Sequence, residues 1–391
     1  MISVSQAKAI LQKNIPPRKS KLVPLEKAIG LICGVDIHSP MHVPSFDNSA
    51  MDGYAIAWEA RKTRWVLEGE IAAGAKDIPI LSTGKAIRIF TGAPMPDGAD
   101  TVIQQEWIAV EGSTLSLQSG EIIKGMHVRK EGTQTKSGDI IMKAGTAITP
   151  GGIGLLASVG IQHVSVIAPP SVGIIITGNE IKEVGQPLEH GEIYNANGPL
   201  LTTYLQQEGI EAIECIRVED NPDMVRQAIN KALTIHDLIL LSGGISVGDY
   251  DFVKEGLEQA GVQELFYKIK QKPGKPLYAG IKDEQMIFAL PGNPASVITC
   301  FNQYVKPSIR QWMGKNPGWE PTLWLPLNSP MKKNPDLTFF LKIKTHPEEV
   351  EILQGQESFN LIAFSTADGF AEIPEGVEAM EKGEKVGVYL W

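Results

Sequence analysis

Glycine, hydroxyl and acidic residues directly follow a short apolar run in the middle of the chain. Leu238 to Leu241 are all apolar, and they lead into Ser242-Gly243-Gly244-Ile245-Ser246-Val247-Gly248-Asp249-Tyr250-Asp251. Such a run is typical of a buried parallel strand, and the small residues after it let the backbone present N–H groups to a ligand. Open α/β sheets bind ligands at the carboxyl ends of their strands, so this stretch predicts a phosphate or metal–phosphate site. An ordinary strand-to-helix loop is the alternative.

The spacing of these glycines excludes two common nucleotide-binding motifs. It fits neither G-x-G-x-x-G nor G-x-x-x-x-G-K-[ST], so neither a Rossmann fingerprint nor a P-loop is present in this stretch.

Acidic residues also follow two other predicted strands. Glu180 comes after the strand at 172–176, and Asp220 comes after the strand at 210–218. The carboxyl ends of parallel strands meet at one edge of a sheet, so we expect Glu180, Asp220 and Asp251 to converge there. Carboxylates in this arrangement suit Mg²⁺, which prefers oxygen ligands and shares its shell with phosphate and water.

Two further segments could bind an oxyanion near the same edge. Lys272-Pro273-Gly274-Lys275-Pro276 puts two lysines on a turn stiffened by proline, and fixed lysines can hold an oxyanion as point charges. Pro291-Gly292-Asn293-Pro294-Ala295-Ser296 follows a strand and starts a long helix, so its N–H groups and Ser296 predict an anion site. A solvated hairpin tip is the alternative for the lysines.

A second polar region lies near the N-terminus. Residues 44–55, Pro-Ser-Phe-Asp-Asn-Ser-Ala-Met-Asp-Gly-Tyr-Ala, combine turn formers with Asp47 and Asp52. These carboxylates could bind a hard cation or orient a substrate hydroxyl, and the alternative is that Asp47 and Asn48 make local Asx-turn hydrogen bonds. Residues 91–100 form another turn rich in proline and acids.

The surrounding pattern predicts several domains. Residues 3–14 read as a helix capped by Ser5, residues 54–136 as a small all-β module, and residues 137–165 as helical. From Ser171 strands and helices alternate, which is typical of a doubly wound α/β unit, and one helix is marked by Asn221 as N-cap and Pro222. Residues 320–391 read as a small β domain.

Composition restricts the class of protein. The 391 residues carry a formal net charge of −9, which argues against an extended nucleic-acid-binding face. The three cysteines are far apart and favour a reducing cytoplasm over a disulfide framework. The sequence has no apolar stretch long enough for a membrane span, and its seven scattered histidines suggest no metal cluster or triad.

Taken together, these motifs closely resemble the MoeA family, the molybdopterin molybdenumtransferases, which are related to the gephyrin E domain. The motifs are residues 44–55, Thr91-Gly92-Ala93-Pro94, Ser242 to Gly248, Lys272 to Pro276 and Leu290 to Pro294, and they occur in family order. The resemblance implies insertion of molybdate into adenylylated molybdopterin, with Mg²⁺-dependent release of AMP. A molybdopterin adenylyltransferase and a non-catalytic, gephyrin-like scaffold are the alternative functions.

The resemblance also implies a fold and an assembly. The fold it implies is a multidomain α/β plus β protein with four domains. A discontinuous helical and extended N-terminal domain comprises residues 1–41 and 137–168, and an inserted β domain comprises residues 42–136. A doubly wound MogA-like α/β domain that binds molybdopterin comprises residues 169–315, and a C-terminal β barrel comprises residues 316–391. It further implies a homodimer in which Asp52 and Thr91 reach the partner's site. An adenylyltransferase or a molybdoenzyme-maturation protein is a candidate partner.

Residue roles follow from the matched motifs. The resemblance implies catalytic roles for Asp52, Thr91, Glu180, Asp220, Asp251, Lys272 and Lys275. Of these, it implies that Glu180, Asp220 and Asp251 are the metal ligands. It implies binding of the pterin substrate and molybdate by Ser242, Gly243, Gly244, Ser246, Gly248, Asp249, Pro291, Gly292, Asn293, Pro294, Ser296 and Ser358.

Three positions depart from the family pattern. Gln134 stands where an acid is usual, Asn179 stands where Asp is usual, and Lys342 stands where the family often has arginine. A lysine keeps the charge of arginine but loses its bidentate fork, so molybdate and tungstate both remain candidate anions.

Overall fold

The computed structural model describes residues 1–244 and 252–391. They divide into two compact units, a larger one of Met1–Lys21, Gly30–Ile32 and Val166–Trp391, and a smaller one of Leu22–Ile29 and Cys33–Ser165. None of the helices in the described residues is both long enough and apolar enough to cross a membrane.

Helix α1 (Val4–Lys13) opens the larger unit, and its cap corrects the sequence prediction. The N-cap is Ser3, not Ser5: the Ser3 hydroxyl accepts from the Gln6 N–H at 3.2 Å, while the Gln6 side chain accepts from the Ser3 N–H at 2.9 Å. This reciprocal capping box satisfies two N–H groups that the helix leaves unpaired, which explains the earlier start.

The smaller unit contains the predicted β module. Its sheet has the spatial order β4-β1-β3-β2-β6-β5, and β2 and β3 are parallel while the other pairs are antiparallel. Both faces carry buried side chains, including Ile87 and Ile89 on one and Tyr54 and Trp65 on the other. The strands are β1 (Gly53–Ile56), β2 (Arg64–Ile71), β3 (Lys85–Ile89), β4 (Thr101–Gln104), β5 (Ile108–Glu111) and β6 (Thr114–Leu117).

The prediction of helix across residues 137–165 is wrong in part. Only α2 (Pro150–Ser158) is helical, and strands Ile140–Met142 and His163–Ile167 lie on either side of it. Thr149 caps α2 by accepting from the Gly152 N–H at 3.1 Å, and Pro150 occupies the first turn.

A six-stranded sheet forms the centre of the larger unit, with the spatial order β8-β7-β9-β13-β12-β10. The first four strands in this order are parallel, and β12 and β10 complete the sheet with antiparallel pairings. Every residue of β7 and β9 is buried, as the apolar run at 238–241 predicts. The strands are β7 (Val172–Thr177), β8 (Ile213–Val218), β9 (Leu238–Ser242), β10 (Gln263–Tyr267), β12 (Tyr278–Lys282) and β13 (Gln285–Leu290). The short strand β11 (Gln271–Lys272) precedes β12 and joins another sheet.

Helices cover both faces of this sheet. One core joins Ile174 and Leu240 to Leu201 of α3 and Phe301, and the opposite core joins Ile239 to residues of α4 and α5. As predicted, Asn221 caps α4, accepting from the N–H groups of Asp223 and Met224, and Pro222 follows it. The helices are α3 (Asn197–Gln207), α4 (Pro222–Ile235), α5 (Phe252–Gln259), α6 (Pro294–Cys300) and α7 (Lys306–Trp312), and a π-helical segment, Phe301–Val305, joins the last two.

The C-terminal residues form a further six-stranded sheet. Its main path is β11-β15-β17-β18-β14, and β16 pairs with β15. The strand β11 pairs in parallel with β15, so the segment just before the lysine turn belongs to this sheet. The strands are β14 (Leu323–Pro326), β15 (Thr338–Thr345), β16 (Val350–Ile352), β17 (Gly369–Ile373) and β18 (Lys385–Leu390).

The remaining elements are short. The strands are Ser20–Pro24, Ile37–His38, Asn48–Ser49, Val128–Arg129, Ile181–Lys182, Ile193–Tyr194, Met331–Lys332 and Ala379–Met380, and the 3-10 helices are Leu25–Lys27, Gln105–Trp107 and Ile362–Ser365.

Candidate active site

The parallel strands of the central sheet end at the same level and form a cavity there. Thr177 is level with Val218, Ile176 with Ser242, and Ser242 with Leu290. The turns after these strands surround a volume of about 410 Å³. Predicted site residues that line it are Glu180, Asp220, Ser242, Gly243, Gly244, Gly292, Asn293 and Pro294, and Thr177, which the sequence places with the polar groups at the end of its strand, also lines it. The other lining residues, which the sequence did not indicate, are Ile176, Ile181, Ile193, Tyr194, Asn195, Ala196 and Asn197.

Two predicted acids, Glu180 and Asp220, face this acidic cavity. Burial, followed by the charge of Glu180, raises the pKa of Asp220. The Asn179 side-chain oxygen accepts from the Asp220 N–H at 3.1 Å, so the residue that replaces the usual acid connects the two acidic turns without adding charge. Two neighbouring carboxylates that repel each other are a donor set that suits a hard divalent cation.

Four predicted residues of this region, Ser246, Gly248, Asp249 and Asp251, lie outside the described residues. Within residues 1–244 and 252–391, no group of three or more His, Cys, Asp or Glu side chains is arranged to hold a metal. The proposed third ligand, Asp251, therefore remains a prediction.

Gly243 is required where the turn after β9 passes β7. Its φ is +95°, and a Cβ there would lie 2.3 Å from the Thr177 carbonyl oxygen. Residues that have a side chain rarely adopt this φ, and the added Cβ would overlap a backbone atom, which cannot move aside by rotation. A glycine thus lets the turn after β9 pack directly on the end of β7.

Asn197 is a residue of the cavity wall that sequence reasoning missed. It is 9% exposed, and its side-chain N–H₂ donates to the Ser242 hydroxyl at 2.9 Å and to the Gly292 carbonyl at 2.7 Å. Its Oδ1 is buried and has no hydrogen-bond partner among the described residues. The amide therefore joins the turn after β9 to the turn after β13.

The lysine turn, residues 272–276, is held by buried side chains although its lysines are exposed. The Gln271 side chain donates to the carbonyls of Pro273 and Gly274, each at 3.1 Å, and accepts from the Tyr304 hydroxyl. Gly274 packs so closely that a Cβ would lie 2.6 Å from the Cys300 sulfur. The backbone of this turn is thus fixed, unlike that of a solvated hairpin tip.

The ammonium groups of the lysine turn are available to a ligand. Lys272 and Lys275 are exposed, and in the part of the chain that the structure describes neither forms an ion pair. Lys272 Nζ lies 5.4 Å from the centre of the Phe339 ring. Two unpaired cations on a fixed backbone can attract an oxyanion.

The Pro291–Ser296 turn connects the acidic cavity with a serine in a loop of the C-terminal region. Gly292, Asn293 and Pro294 line the cavity, and the Asn293 side chain donates to the Ser358 hydroxyl at 3.2 Å. Ser296 is buried, and its N–H donates to the Asn293 carbonyl at 2.9 Å. That N–H therefore bonds within the turn, whereas the sequence predicts that it donates to an anion.

Asp52 and Thr91 meet in the smaller unit. One Asp52 oxygen accepts from both the N–H and the hydroxyl of Thr91, each at 2.8 Å, and these bonds lower the pKa of Asp52. Asp47 accepts instead from Lys130 at 2.6 Å and from the Glu131 N–H at 2.8 Å. Neither carboxylate is thus explained by a local Asx turn.

Comparisons with known proteins cover nearly the whole chain. Family models match residues 2–160 (MoeA N-terminal region, domain I and II), 173–311 (probable molybdopterin binding domain) and 325–391 (MoeA C-terminal region, domain IV). A protein of Haemophilus influenzae named molybdopterin molybdenumtransferase is 37% identical over 320 residues, which are 81% of this chain and 78% of that protein. A protein of the same name from Staphylococcus epidermidis is 30% identical and covers 100% of this chain and 95% of its own length.

Solved structures agree with these matches. The crystal structure of a molybdopterin biosynthesis MoeA protein from Pyrococcus horikoshii superposes with a TM-score of 0.85 at 31% identity, covering 100% of this chain and 99% of that one. The predicted fold class, a multidomain α/β protein with additional β domains, is therefore confirmed. With all three family regions matched in order and relatives similar over most of their length, the chain belongs to the MoeA family of molybdopterin molybdenumtransferases and is an enzyme of the transferase class.

Proposed function

We propose that this enzyme inserts molybdenum from molybdate into adenylylated molybdopterin, releases AMP, and depends on Mg²⁺. The observation that carries the proposal is the Pro291–Ser296 turn, which lines the acidic cavity and also contacts Ser358 through Asn293. A cavity that suits a metal–phosphate group thus lies next to a serine hydroxyl that could bind an oxyanion.

Glu180, Asp220 and Asp251 would hold Mg²⁺. Burial, followed by the charge of Glu180, raises the pKa of Asp220, and this supports the assignment because a bound divalent cation would stabilise both carboxylates in their charged form. When bound, Mg²⁺ supplies positive charge that stabilises phosphate oxygens. Release of AMP breaks the phosphoanhydride bond while an oxygen nucleophile, such as water, bonds to the phosphorus, so negative charge develops on the leaving phosphate, where the charge of Mg²⁺ would act.

The remaining residues would bind and orient the two substrates. The close turn at Gly243 and Gly244 lets backbone approach the phosphate groups, and Asn197 keeps that turn against Gly292. Lys272 and Lys275, which have no described ion-pair partner, would attract molybdate, and the hydroxyl groups of Ser296 and Ser358 would donate to it.

Asp52 and Thr91 would complete the site of a partner subunit in a homodimer. Their mutual hydrogen bonds fix the carboxylate orientation, which a residue acting on another chain's substrate needs. A mixture of Asp52→Ala and Asp220→Ala chains tests this arrangement. Mixed dimers should regain AMP release that both pure variants lack, and no recovery would contradict shared sites.

The decisive experiment measures AMP release from adenylylated molybdopterin with molybdate, with tungstate and with neither anion, each with and without Mg²⁺. Release that requires both an oxyanion and Mg²⁺ supports the proposal, and the preferred anion identifies the metal. Glu180→Gln should abolish AMP release both with and without Mg²⁺, while Glu284→Gln, at a residue outside the cavity, serves as the matched control.

Two other outcomes would support different functions. Formation of adenylylated molybdopterin from ATP, without oxyanion-dependent AMP release, would indicate an adenylyltransferase. Tight binding of the adenylylated pterin without any release would indicate a carrier or scaffold.

A further inference from the structure

Lys342 is a buried lysine whose ammonium group is surrounded by backbone oxygens. It lies in β15 and is 2% exposed. Its Nζ donates to the carbonyls of Gly355 at 2.6 Å, Asn360 at 3.1 Å and Glu357 at 3.3 Å. The Phe364 ring adds a cation–π contact, with its centre 4.7 Å from Nζ.

All three carbonyls belong to one segment, residues 353–361, which we call the serine loop. Gln356 of this loop also bonds to the Lys342 backbone in both directions, accepting from its N–H at 3.0 Å and donating to its carbonyl at 2.9 Å. The loop is thus connected to β15 through both the main chain and the side chain of Lys342.

The serine loop carries Ser358, whose hydroxyl accepts from Asn293 at the edge of the acidic cavity. We propose that Lys342 is a positioning residue for molybdate binding: its ammonium holds the serine loop so that Ser358 stays against Asn293, and it does not itself bind the oxyanion. This inference deepens the proposed function and rests on it for the identity of the anion.

The donor count supports a positioning role. A lysine ammonium has three N–H donors, and three carbonyl oxygens already accept from Lys342. Burial lowers the pKa of this lysine, which is the cost of keeping the charge away from water, and the carbonyl dipoles offset that cost. An oxyanion would have to displace a carbonyl of the loop to reach the ammonium.

The kinetic test compares Lys342→Met, Lys342→Arg and Ser358→Ala, with the exposed Lys332→Met of the same C-terminal region as the control. We expect the molybdate KM to rise about tenfold in each of the three site variants, the loss typical of one hydrogen bond to a charged group. The KM for the adenylylated pterin should stay unchanged, and so should every constant of Lys332→Met.

The arginine variant and the double variant separate positioning from direct binding. A planar guanidinium does not fit three oxygens arranged around one nitrogen, so Lys342→Arg should fail like Lys342→Met. Lys342→Met combined with Ser358→Ala should be no worse than Ser358→Ala alone, because both act through one contact. A normal molybdate KM in Lys342→Arg, or multiplying effects in the double variant, would overturn the proposal in favour of direct anion binding.

Backbone hydrogen exchange distinguishes failure of this inference from failure of the proposed function. Amides of residues 353–361 should exchange faster in Lys342→Met than in Lys332→Met, whether or not AMP is released. Unchanged exchange in that loop would overturn the positioning role by itself. If Lys342→Met does not fold, Gln356→Ala loosens the same loop while keeping the ammonium, and a normal molybdate KM in that variant would also overturn the proposal.

Discussion

The acidic cavity is built from turns that directly follow parallel strands, whereas the lysine turn depends on side chains from distant parts of the chain. Glu180, Asp220 and Gly243 each lie within three residues of the end of a strand, and the register of the sheet places these strand ends side by side. The lysine turn is fixed by Gln271 and Tyr304 and by the pairing of β11 with β15. Sheet topology thus specifies the first region, and long-range packing specifies the second.

The two regions also differ in how their charges are balanced. The acids of the cavity repel each other, while the lysine turn exposes cations on a backbone whose polar groups are well bonded. We therefore expect the first region to gain stability from a bound cation and the second to lose its charges without cost to the fold. The following variants test this difference, in order of their expected effect on the free energy of unfolding.

Gly243→Ala should have the largest effect. The substitution forces a side chain into left-handed backbone and against the Thr177 carbonyl, so we expect a loss of about 3 kcal/mol in the free energy of unfolding and loss of AMP release. Gly292→Ala is the matched control, because its Cβ would approach nothing closer than the Gly243 Cα at 3.7 Å. Urea unfolding measures both, and equal losses would contradict the requirement for glycine at 243.

Asn197→Ala should have the next largest effect, because it removes the amide that connects two turns of the cavity. Loss of its two hydrogen bonds should cost about 2 kcal/mol. The KM for the adenylylated pterin should rise while the KM for molybdate changes little, since the lysine turn has its own supports. Equal changes in both constants would mean that the two regions are not independent.

Asp220→Asn should increase stability slightly while abolishing turnover. Because the folded-state pKa of Asp220 is raised, its contribution to stability is present below its ordinary pKa of 3.8 and is lost as the pH rises through the folded value. Asparagine does not ionise, so the variant does not lose this stability as the pH rises. Its Tm at neutral pH without Mg²⁺ should therefore exceed that of the wild type. Adding Mg²⁺ should raise the Tm of the wild type more than that of the variant, and the opposite order would argue against a cation here.

Lys272→Met should have the smallest effect on stability. The side chain is exposed and has no described ion-pair partner, so the Tm should stay unchanged, while the molybdate KM should rise about tenfold through loss of one charge near the anion. Lys382→Met, at another exposed lysine, is the control. A fall in Tm would show that this lysine is structural.

Much of the acidic cavity could be predicted because its signals are local. The apolar run before Ser242 indicates a buried strand, Asn221 and Pro222 mark the start of α4, and acids placed just after strands are brought together by any parallel sheet. The sequence does not predict the cap of α1 correctly because Ser3 and Ser5 are both suitable N-cap types, and only the backbone places Gln6 opposite Ser3.

The missed features all depend on contacts between residues far apart in sequence. Asn197 looks like the ordinary start of a helix, and only the crossing of α3 over the sheet brings its amide between Ser242 and Gly292. Lys342 looks like a cation available to an anion, and only the path of the serine loop places three carbonyl oxygens around it.

The sequence by itself determined the family motifs, the strand-to-turn pattern and the types of group available for phosphate, metal and oxyanion chemistry. These properties follow from side-chain type and short-range spacing, which fix local conformation and strand order. Only the tertiary structure decided which polar groups are free to meet a ligand and which are used to hold the protein together. Hydrogen-bond donors bond to whichever acceptors the fold brings near them. A lysine can therefore be free to bind an anion in one environment and can hold a loop in place in another.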